Sequence, residues 1–473
     1  MRESEIRVAV VGCGYVGLVA AACFAELGHE VTSVDNDESK IAALDAGDSL
    51  IHEDYLPELM RRHHGKRLKF SCDLAEAVRV SQIIVIAVGT PADSSGEADL
   101  SFVETATREI ARAMNGHKII VEKSTVPVHT NAWIQRAMVF NGCSVSDFDV
   151  VSNPEFLREG TAVTDFLYPD RIIVGCRSEL AAATMKHLYA PLLDGSYARQ
   201  SNAVPAPDDA VEKPLYIETS PETSELIKHA SNAFLAMKIS FINAVSVVAE
   251  SAGADIEDVR IGMGSDKRIG AGFLRAGIGY GGSCFPKDVA AFRAIAQSCG
   301  CDFNLLDEVQ RINHEQMNRF IAKVRKTLWT IKGKRLAALG LAFKSGTDDI
   351  RESPAINVIQ ELLSRDCQIT AFDPAAMQRA RALLGDSITY APDAYSAMKD
   401  ADALLILTEW KEFAALDLTQ VKRLLKYPIV LDGRNLYTPA EMAAAGLNYY
   451  SIGRRPLELS HPMPGLVRIA KMS

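Results

Sequence analysis

A single cysteine stands in the stretch of sequence with the most chemical potential. Residues 279–288 read G-Y-G-G-S-C-F-P-K-D, so Cys284 follows paired glycines and has Lys287 and Asp288 within four residues. Glycine lets a backbone approach a ligand closely. A free thiol has a pKa of about 8.5, so a nucleophilic cysteine needs a nearby cation, a helix dipole or a partner base. The local sequence leaves two alternatives open, a nucleophile and a buried structural cysteine.

Two polar residues lie one helical turn apart in an otherwise apolar segment. Lys228 and Asn232 have i, i+4 spacing, which brings two side chains to the same place on a helix. A buried lysine is costly unless it has a partner or a task, such as stabilising a developing oxyanion. The alternative is a surface lysine whose stem covers apolar neighbours.

Two carboxylates stand close together in N-P-E-F-L-R-E-G at residues 153–160, which follows a predicted strand. Glu155 and Glu159 are either acid–base groups or ordinary acids at a helix N-terminus, where a negative charge is favourable. The spacing alone does not decide between these interpretations.

A glycine-rich turn near the start predicts a dinucleotide site. Residues 12–17 read G-C-G-Y-V-G between an apolar run and an amphipathic segment. The first glycine permits a tight turn, the second lets a pyrophosphate approach, and the third packs the helix against the strand. Asp35 follows 18 residues after Gly17, where a carboxylate can accept hydrogen bonds from ribose hydroxyls and would repel a 2′-phosphate. The pattern favours NAD over NADP; a tight packing turn with a solvated aspartate is the alternative.

Two further loops follow strongly apolar runs. They read V-G-T-P at residues 88–91 and E-K-S-T-V-P at residues 122–127. In an open α/β sheet, ligands bind beyond the carboxyl ends of the strands, so we expect both loops to border the cofactor. The alternative for each is a turn that ends at proline.

The elements that must position these residues are typical of an α/β protein. Short β-branched runs alternate with amphipathic segments, which predicts strands alternating with helices. Near-continuous Val and Ile in the runs predicts strands that are buried on both faces. We expect two Rossmann-like doubly wound domains joined by a central helical domain with a long helix. The predicted strands are 6–11, 30–35, 83–88, 118–121, 149–152, 171–174, 335–339, 368–372, 403–407 and 429–431.

The segment between the two α/β patterns predicts a polar loop followed by a long helix. Residues 197–214 are polar and rich in proline and aspartate, which predicts a surface loop outside the core. Ser220 is a candidate N-cap, and Pro221 suits the first helical position. The helix is apolar on several faces, so we expect it to be deeply buried and to form a subunit interface. The predicted domains are 1–214 (NAD-binding), 215–325 (central and helical) and 326–473 (C-terminal and Rossmann-like).

Composition limits the classes of function. A chain of 473 residues exceeds the size of a single hydrophobic core, and 48% hydrophobic with 23% charged residues is typical of a soluble protein. The net charge of −9 gives no electrostatic basis for binding nucleic acid or an anionic membrane. We expect no signal peptide and no membrane-spanning run. The nine scattered cysteines predict free thiols in a reducing cytoplasm and no metal site.

Together these segments resemble the nucleotide-sugar 6-dehydrogenases of the UDP-glucose/GDP-mannose dehydrogenase family. The resemblance runs from Val8 to about Arg434. It rests on ordered motifs at matching spacing: G-x-G-Y-V-G, V-G-T-P, E-K-S-T-V-P, N-P-E-F-L-R-E-G, the Lys228/Asn232 helix and G-Y-G-G-S-C-F-P-K-D. One departure is the loop at 197–214, which looks longer than the loop in most bacterial relatives.

The resemblance implies a four-electron oxidation of UDP-glucose to UDP-glucuronate that consumes two NAD⁺. Cys284 would capture the intermediate aldehyde as a thiohemiacetal, which is oxidised to a thioester and then hydrolysed. Lys228 and Asn232 would hold the C6 oxygen and stabilise the oxyanions. Asp288 and Thr125 would position or activate a water molecule.

The resemblance also implies where the ligands are held, with Glu155 as the candidate base for thioester hydrolysis. The cofactor-binding residues would be Gly12, Gly14, Tyr15, Val16, Gly17, Asp35, Lys40, Thr90, Pro91, Ser124, Thr125, Glu159, Lys287 and Arg351. The substrate-binding residues would be Glu155, Phe156, Leu157, Glu159, Lys228, Asn232, Arg268, Phe273, Arg275, Gly281, Phe343, Lys344 and Arg434. Among them, Arg268 resembles an arginine donated by a neighbouring subunit of a homodimer formed through the central domain.

Three alternatives remain at this point. The same chemistry could act on GDP-mannose or a UDP-N-acetylhexosamine. A single-step 3-hydroxyacid dehydrogenase has a similar plan but needs no Cys284. A catalytically silent sensor would bind the sugar nucleotide and reduce nothing, although the presence of Lys228, Asn232, Cys284 and Asp288 argues against it.

Overall fold

The computed structural model describes residues 5–91 and 98–459. The chain forms two compact units. The first runs up to Met237 and includes Ser283–Gln310 and Gly346–Asp348; the second consists of Lys238–Gly282, Arg311–Ser345 and the chain from Asp349. The outer ends of the predicted domains, residues 1–4 and 460–473, lie outside the described residues. The division into three domains stays a prediction.

The element order alternates strands and helices in both halves of the chain. The strands are β1 (Arg7–Val11), β2 (Glu30–Val34), β3 (Leu68–Ser71), β4 (Ile83–Ile86), β5 (Lys118–Glu122), β6 (Phe148–Ser152), β7 (Arg171–Gly175), β8 (Leu215–Thr219), β9 (Arg335–Leu339), β10 (Gln368–Phe372), β11 (Thr389–Tyr390), β12 (Ala403–Ile406), β13 (Ile429–Asp432) and β14 (Asn448–Tyr450).

The helices connect these strands, and one turn of 3-10 helix spans Val145–Asp147. The α-helices are α1 (Tyr15–Glu26), α2 (Glu38–Asp45), α3 (Leu56–His63), α4 (Leu74–Val80), α5 (Ser101–Ala113), α6 (Thr130–Phe140), α7 (Ala162–Leu167), α8 (Glu179–Leu188), α9 (Ala190–Leu193), α10 (Pro221–Ala252), α11 (Ile256–Gly264), α12 (Phe285–Ser298), α13 (Asn304–Leu328), α14 (Pro354–Leu363), α15 (Met377–Leu384), α16 (Ala394–Met398), α17 (Lys411–Ala414), α18 (Leu418–Leu424) and α19 (Pro439–Ala445).

The first unit is built on a sheet with strand order β3-β2-β1-β4-β5-β6-β7-β8, counted over the described residues. Neighbouring strands are parallel except β6 and β7, which pair antiparallel where Ser152 faces Gly175. Strands β4 and β5 are buried on both faces, as their Val and Ile content predicts. Because β1, β4, β5 and β6 are parallel, the loops that follow them leave the sheet at one edge.

The second unit contains a parallel sheet with strand order β11-β10-β9-β12-β13-β14, again among the residues that are placed. After β9, Gly340 adopts φ +102°, and a Cβ there would lie 2.3 Å from the Thr408 hydroxyl oxygen. Asp373 follows β10 and accepts the Leu341 and Ala342 N–H groups at 2.7 and 3.1 Å. The order of a strand, a glycine turn, a helix and a second strand followed by an aspartate thus occurs in both units. The prediction of a doubly wound α/β fold is confirmed.

All ten predicted strands are present, and the four that the sequence analysis missed are edge strands. Strands β3 and β8 bound the first sheet, while β11 and β14 bound the second. An edge strand is paired on one side only and tolerates polar residues. Strand β8 has no buried residue, so it lacks the apolar run that revealed the central strands.

Helix α10 begins at Pro221 as predicted and extends for 32 residues. The prediction of deep burial was wrong for one stripe, since Leu226, Phe234, Phe241 and Val248 are 43–66% exposed. The expectation of no membrane-spanning run also needs correction. Within the placed part of the chain, α10 is long and apolar enough to cross a membrane, judged by length and composition alone. In an apolar stretch of 18 residues of this helix, 44% is buried inside the protein. Its buried polar residues include Glu225 and Lys228, which have partners within the protein.

The predicted surface loop at 197–214 is partly a core element. Tyr197 and Val204 are 1% and 4% exposed and pack in the main apolar cluster of the first unit. The Tyr197 hydroxyl accepts the Val204 N–H at 2.8 Å, and the Tyr168 hydroxyl donates to the Val204 carbonyl at 2.5 Å. The prediction failed here because two apolar residues dispersed among prolines and aspartates gave no periodic signal.

A pair of buried carboxyl groups joins β5 to α10. Glu225 accepts the N–H groups of His129 and Asn131 at 2.7 and 2.8 Å. Burial, followed by the charge of Glu225, raises the pKa of Glu122 well above its ordinary value. Two carboxylates that lie this close and this deep are stable when one of them keeps its proton. We infer that Glu122 is that acid in the folded protein.

Substitution Glu122→Gln should flatten the dependence of stability on pH. The unfolded chain releases the Glu122 proton near 4.5, whereas the folded chain holds it to a much higher pH. Folding therefore takes up a proton in this window, and each pH unit lowers the free energy of unfolding by about 1.4 kcal/mol. Glutamine keeps the donor and removes this proton uptake. Urea denaturation at pH 6 and pH 8 measures the difference.

The matched control is Glu218→Gln, which removes an exposed carboxylate on β8. This variant should keep the pH dependence of the unmodified protein. If the free energy of unfolding depends on pH with the same slope in Glu122→Gln and in the unmodified protein, Glu122 is ionised in the folded state.

Candidate active site

Cys284 occupies the N-cap position of α12 and is half-buried. Its sulfur lies 3.5 Å from the Ser283 hydroxyl oxygen. Burial, together with Glu155 and Asp288, raises the pKa of Cys284 to about 11, against the opposing effects of Lys228 and the Ser283 hydrogen bond. The resting sulfur is therefore a protonated thiol, although it has the cation and the helix N-terminus that a nucleophile needs. The described residues include all nine cysteines, and none forms a disulfide.

A buried ion pair lies beside the sulfur. The Lys228 ammonium donates to Glu155 Oε1 at 2.8 Å, and the two side chains are only 4% and 5% exposed. Burial by itself lowers the pKa of Lys228, but Glu155, Asp288 and Cys284 together raise it above its ordinary value. Lys228 is therefore a buried ammonium group, and the interpretation as a solvated surface lysine is wrong.

Asn232 and Asp288 form the second polar pair of this cluster. The Asn232 amide donates to Asp288 Oδ2 at 2.6 Å, and Lys287 Nζ lies 3.0 Å from Asp288 Oδ1. Asp288 is 1% exposed. Its position in the first turn of α12 places its carboxylate near the favourable end of the helix dipole. The structure thus brings the predicted residues of α10 and α12 into one cluster.

The loop after β6 is anchored at Asn153 before it presents Glu155. The Asn153 amide donates to the Ile173 carbonyl at 2.7 Å and accepts the Tyr189 hydroxyl at 2.7 Å. Glu155 also accepts the N–H of Leu157 at 2.5 Å through its Oε2. The hydrogen bonds from Leu157 and Lys228 fix the direction of the Glu155 carboxylate. This supports an acid–base or positioning role for Glu155 over that of a solvated acid.

Phe156 lies between two cations. The Arg171 guanidinium carbon is 3.9 Å from the ring centroid, and Lys228 Nζ is 5.4 Å from it. A cation over an aromatic face is attracted by the ring quadrupole. Phe156 therefore helps to hold the ammonium group of Lys228 in a water-poor place.

Lys123 is a site residue that the sequence analysis did not assign. It is 3% exposed and donates to Asn153 Oδ1 at 3.2 Å. Burial, aided by Lys228, lowers the pKa of Lys123 to about 8, while Glu155 opposes the shift. The available signal was its place directly after the apolar run of β5, where a charged residue must be buried.

Glu159 contacts the segment that carries the nucleophile. Its Oε1 accepts the Ser283 hydroxyl at 2.9 Å, and its Oε2 accepts the Thr347 hydroxyl at 3.2 Å. Since Ser283 precedes Cys284, Glu159 is tied to the reactive segment. Both carboxylates of N-P-E-F-L-R-E-G are therefore part of the cluster.

The turn after β1 fits a dinucleotide. A Cβ on Gly12 would lie 2.7 Å from the Ala87 carbonyl oxygen, and one on Gly17 would lie 1.9 Å from the Gly12 carbonyl oxygen. A Cβ on Gly14 would meet no described atom within 4 Å, which leaves the backbone open to a pyrophosphate. Tyr15 and Val16 begin α1, whose N-terminal N–H groups attract phosphate.

Asp35 lies at the end of β2 beside this turn. Its Oδ2 accepts the N–H of Cys13 at 2.8 Å and lies 3.4 Å from Lys40 Nζ. The carboxylate is therefore held at the place where the ribose of a bound dinucleotide is expected. Lys40 is brought to the same carboxylate, and its predicted role in cofactor binding stays a prediction.

The two loops predicted to border the cofactor are joined to each other. The Thr90 hydroxyl donates to the Thr125 carbonyl at 2.9 Å, and the Ser124 hydroxyl donates to the Val88 carbonyl at 2.7 Å. Lys287 Nζ lies 3.3 Å from the Thr90 hydroxyl oxygen, so the cofactor loops reach the start of α12. Pro91 ends the described part of the first loop.

In the second unit, Arg434 is held by backbone carbonyls. Its guanidinium donates to the carbonyl oxygens of Leu407, Gly279 and Phe343 at 3.0, 3.1 and 2.9 Å. A Cβ on Gly282 would lie 2.8 Å from the Phe343 ring. The structure therefore brings Phe343 and Arg434 to the segment 279–282, which contains the predicted residue Gly281.

The other predicted residues of the second unit are more dispersed. Arg351 donates to Asp349 and is 60% exposed. Arg268 pairs with Asp266 and is 88% exposed, Arg275 is exposed, and Phe273 has φ +62°. Lys344 is half-buried, with Nζ 5.7 Å from the Phe343 ring centroid. The assignment of Arg351 to the cofactor, and of the other residues to the substrate, stays a prediction.

Three family models match consecutive parts of the chain. The NAD binding domain of the UDP-glucose/GDP-mannose dehydrogenase family matches residues 6–193, the central domain matches residues 222–315, and the UDP binding domain matches residues 337–439. The first of these matches contains the glycine turn and Asp35, so the fit to NAD described above has independent support.

Known proteins of this family are similar over nearly the whole chain. UDP-glucose 6-dehydrogenase TuaD of Bacillus subtilis is 44% identical over 465 residues, which cover 97% of this chain and 96% of the relative. The UDP-glucose 6-dehydrogenase of Rhizobium meliloti is 44% identical over 461 residues, which cover 95% of this chain and 100% of the relative.

A solved UDP-glucose dehydrogenase from Pyrobaculum islandicum superposes with a TM-score of 0.83 at 38% identity, covering 95% of this chain and 98% of that chain. Fold, site geometry and sequence similarity agree. The chain therefore belongs to the UDP-glucose/GDP-mannose dehydrogenase family and is an NAD-dependent dehydrogenase.

Proposed function

We propose that the protein oxidises UDP-glucose to UDP-glucuronate in two successive NAD-dependent steps through a covalent intermediate on Cys284. The observation that carries this proposal is the cluster around the sulfur, where the Lys228–Glu155 and Asn232–Asp288 pairs are buried together. A dehydrogenase that stops at the aldehyde has no need for a nucleophilic sulfur. The curated relatives named UDP-glucose 6-dehydrogenase support the choice of substrate.

In the first oxidation, Lys228 and Asn232 hold the oxygen on C6 of the sugar. Bound NAD⁺ supplies the hydride acceptor in both oxidations. The hydroxyl proton passes to water, and the Lys228 ammonium stabilises the negative charge on that oxygen as the C–H bond breaks. Cys284 then adds to the aldehyde carbon, and its S–H proton is transferred to the oxygen, which becomes the hydroxyl of a thiohemiacetal. The adduct keeps the sugar in place for the second oxidation, which yields a thioester.

Hydrolysis of the thioester returns the sulfur to its resting form. Asp288 and Thr125 position a water molecule, and Glu155 accepts its proton as the water adds to the thioester carbon. The C–S bond then breaks, UDP-glucuronate leaves, and Cys284 is reprotonated. The high pKa of the Cys284 thiol favours that last step.

We assign the UDP half of the substrate to the C-terminal domain and retain the three-domain division at 1–214, 215–325 and 326–473. The contacts of Arg434 with the carbonyl oxygens of Gly279 and Phe343, beside Gly281, support this assignment. We also propose a cytoplasmic location, which is supported by nine free thiols within the described residues.

The stoichiometry of cofactor reduction tests the proposed function. Incubation with UDP-glucose and excess NAD⁺ should yield two NADH for each sugar consumed, measured by absorbance against product quantified by chromatography. Substitution Cys284→Ser should stop the reaction after the first oxidation or at a trapped adduct, because serine is a much weaker nucleophile and leaving group. The matched control Cys301→Ser, an exposed cysteine, should behave as the unmodified protein.

One NADH per sugar would indicate a single-step alcohol dehydrogenase, and none would indicate a binding protein. Faster turnover with GDP-mannose or a UDP-N-acetylhexosamine than with UDP-glucose would show that this other sugar nucleotide is the preferred substrate of the same reaction. Undiminished glucuronate formation by Cys284→Ser would remove the sulfur from the mechanism.

We further propose that the protein forms a homodimer through α10. The exposed residues Leu226, Phe234, Phe241 and Val248 repeat at intervals of eight, seven and seven, which places them along one face of the helix. A long apolar stripe on a surface helix is costly in water and suits a second copy of the same helix.

Substitution Phe241→Asp should convert the dimer to monomers, because it would bury a charge in the apolar interface. Light scattering after size exclusion measures the mass. The control Phe140→Asp places the same charge on α6, at a side chain that is 86% exposed, and should leave the mass unchanged. A dimer that survives Phe241→Asp, or an unmodified protein that is monomeric, would contradict the proposal.

A further inference from the structure

Glu53 is a buried carboxylate that the proposed mechanism does not use. It lies between α2 and α3 and is 4% exposed. Its Oε1 accepts the N–H of Ala162 at 2.6 Å, and its Oε2 accepts the N–H of Gly160 at 2.7 Å. The Tyr15 hydroxyl also donates to Oε2. Three segments distant in sequence therefore meet at this carboxylate.

The two ends of this contact lie at functional places. Tyr15 directly follows Gly14 in the dinucleotide turn and is the first residue of α1. Gly160 directly follows Glu159, whose Oε1 accepts the hydroxyl of Ser283, the neighbour of Cys284. A continuous chain of hydrogen bonds and peptide links thus runs from the cofactor turn through Glu53 to the nucleophile.

The far end of this chain has little room to adjust. Gly160 has φ +87°, and a Cβ there would lie 2.5 Å from the Gly346 carbonyl oxygen. The Gly160 N–H also lies 2.8 Å from the Tyr15 hydroxyl oxygen. A movement of the Tyr15 ring must therefore either break these bonds or move the segment that carries Glu159.

We propose that Glu53 is a positioning residue that couples the dinucleotide turn to the segment carrying the nucleophile, through Tyr15 on one side and Gly160 on the other. The inference rests on the proposed function, since it gives the coupling a purpose: the nucleophile is aligned when a fresh cofactor occupies the turn. Misplacement of a reacting group by about 1 Å costs on the order of 100-fold in rate.

A double-mutant cycle of Tyr15→Phe and Glu53→Gln tests the coupling. The readout is kcat/KM for UDP-glucose at saturating NAD⁺, together with KM for NAD⁺. Each single variant should lower kcat/KM for UDP-glucose about 10-fold or more, and the double variant should be no worse than Glu53→Gln alone. The control Glu58→Gln removes an exposed carboxylate from α3, the helix that follows Glu53, and should match the unmodified protein.

A second readout keeps the inference separate from the proposed function. ADP-ribose occupies the turn without a nicotinamide that could cover the sulfur, so its effect on the iodoacetamide alkylation rate of Cys284 reports the coupling alone. On addition of ADP-ribose, the alkylation rate of Cys284 should change severalfold in the unmodified protein and remain constant in Tyr15→Phe. This measurement tests the coupling even if Glu53→Gln fails to fold. Any of three results would overturn the proposal. The two substitutions could have additive effects in the cycle, the change could be confined to KM for NAD⁺ or to Tm, or ADP-ribose could have the same effect on Tyr15→Phe as on the unmodified protein. Absence of NADH formation by the unmodified protein would instead contradict the proposed function.

Discussion

The buried ion pair between Lys228 and Glu155 is the constraint on which the rest of the site depends. Taking two charges out of water costs several kcal/mol per ion, and only close contact and further hydrogen bonds compensate for it. Removing one partner would leave an uncompensated buried charge, at a cost of about 3–5 kcal/mol. The pair therefore fixes α10 against the loop after β6. Once that distance is set, Asn232 lies one turn farther along the same helix and meets Asp288.

The same charges determine the state of the sulfur. Burial and two carboxylates raise the pKa of Cys284 to about 11, in spite of the Lys228 ammonium. A protonated thiol reacts slowly with adventitious electrophiles, since the thiolate is the reactive form. The arrangement suits an enzyme that needs its nucleophile only after an aldehyde has formed beside it.

The sequence predicted the inner strands of both sheets because most of their residues are buried and form short apolar runs, with continuous Val and Ile in β4. It missed β3, β8, β11 and β14, since an edge strand has a half-exposed composition that resembles a loop. The burial of Tyr197 depends on contacts with Tyr168 and Val204 and has no local signature. Helical periodicity revealed the apolar character of α10 but could not show which stripe stays uncovered in a single chain.

Within the site, motifs with an obvious chemical group were recognised, whereas residues that act through others were not. Cys284, Lys228 and Asp288 carry their chemistry in the side chain itself. Lys123 and Glu53 gain importance only from what folds around them, which spacing in the sequence does not express. Arg268 and Arg275, which the resemblance assigns to the substrate, are exposed in this chain, and Arg268 pairs with its near neighbour Asp266.

The central claim is that the oxidised sugar is bonded to one particular sulfur atom. The most direct measurement is peptide mass spectrometry after acid quenching of Glu155→Gln during turnover with UDP-glucose and NAD⁺. With the candidate base removed, hydrolysis should slow, and the peptide that contains Cys284 should carry the mass of a UDP-glucuronyl thioester. Product formation without an adduct on that peptide, or an adduct on a different cysteine, would contradict the account.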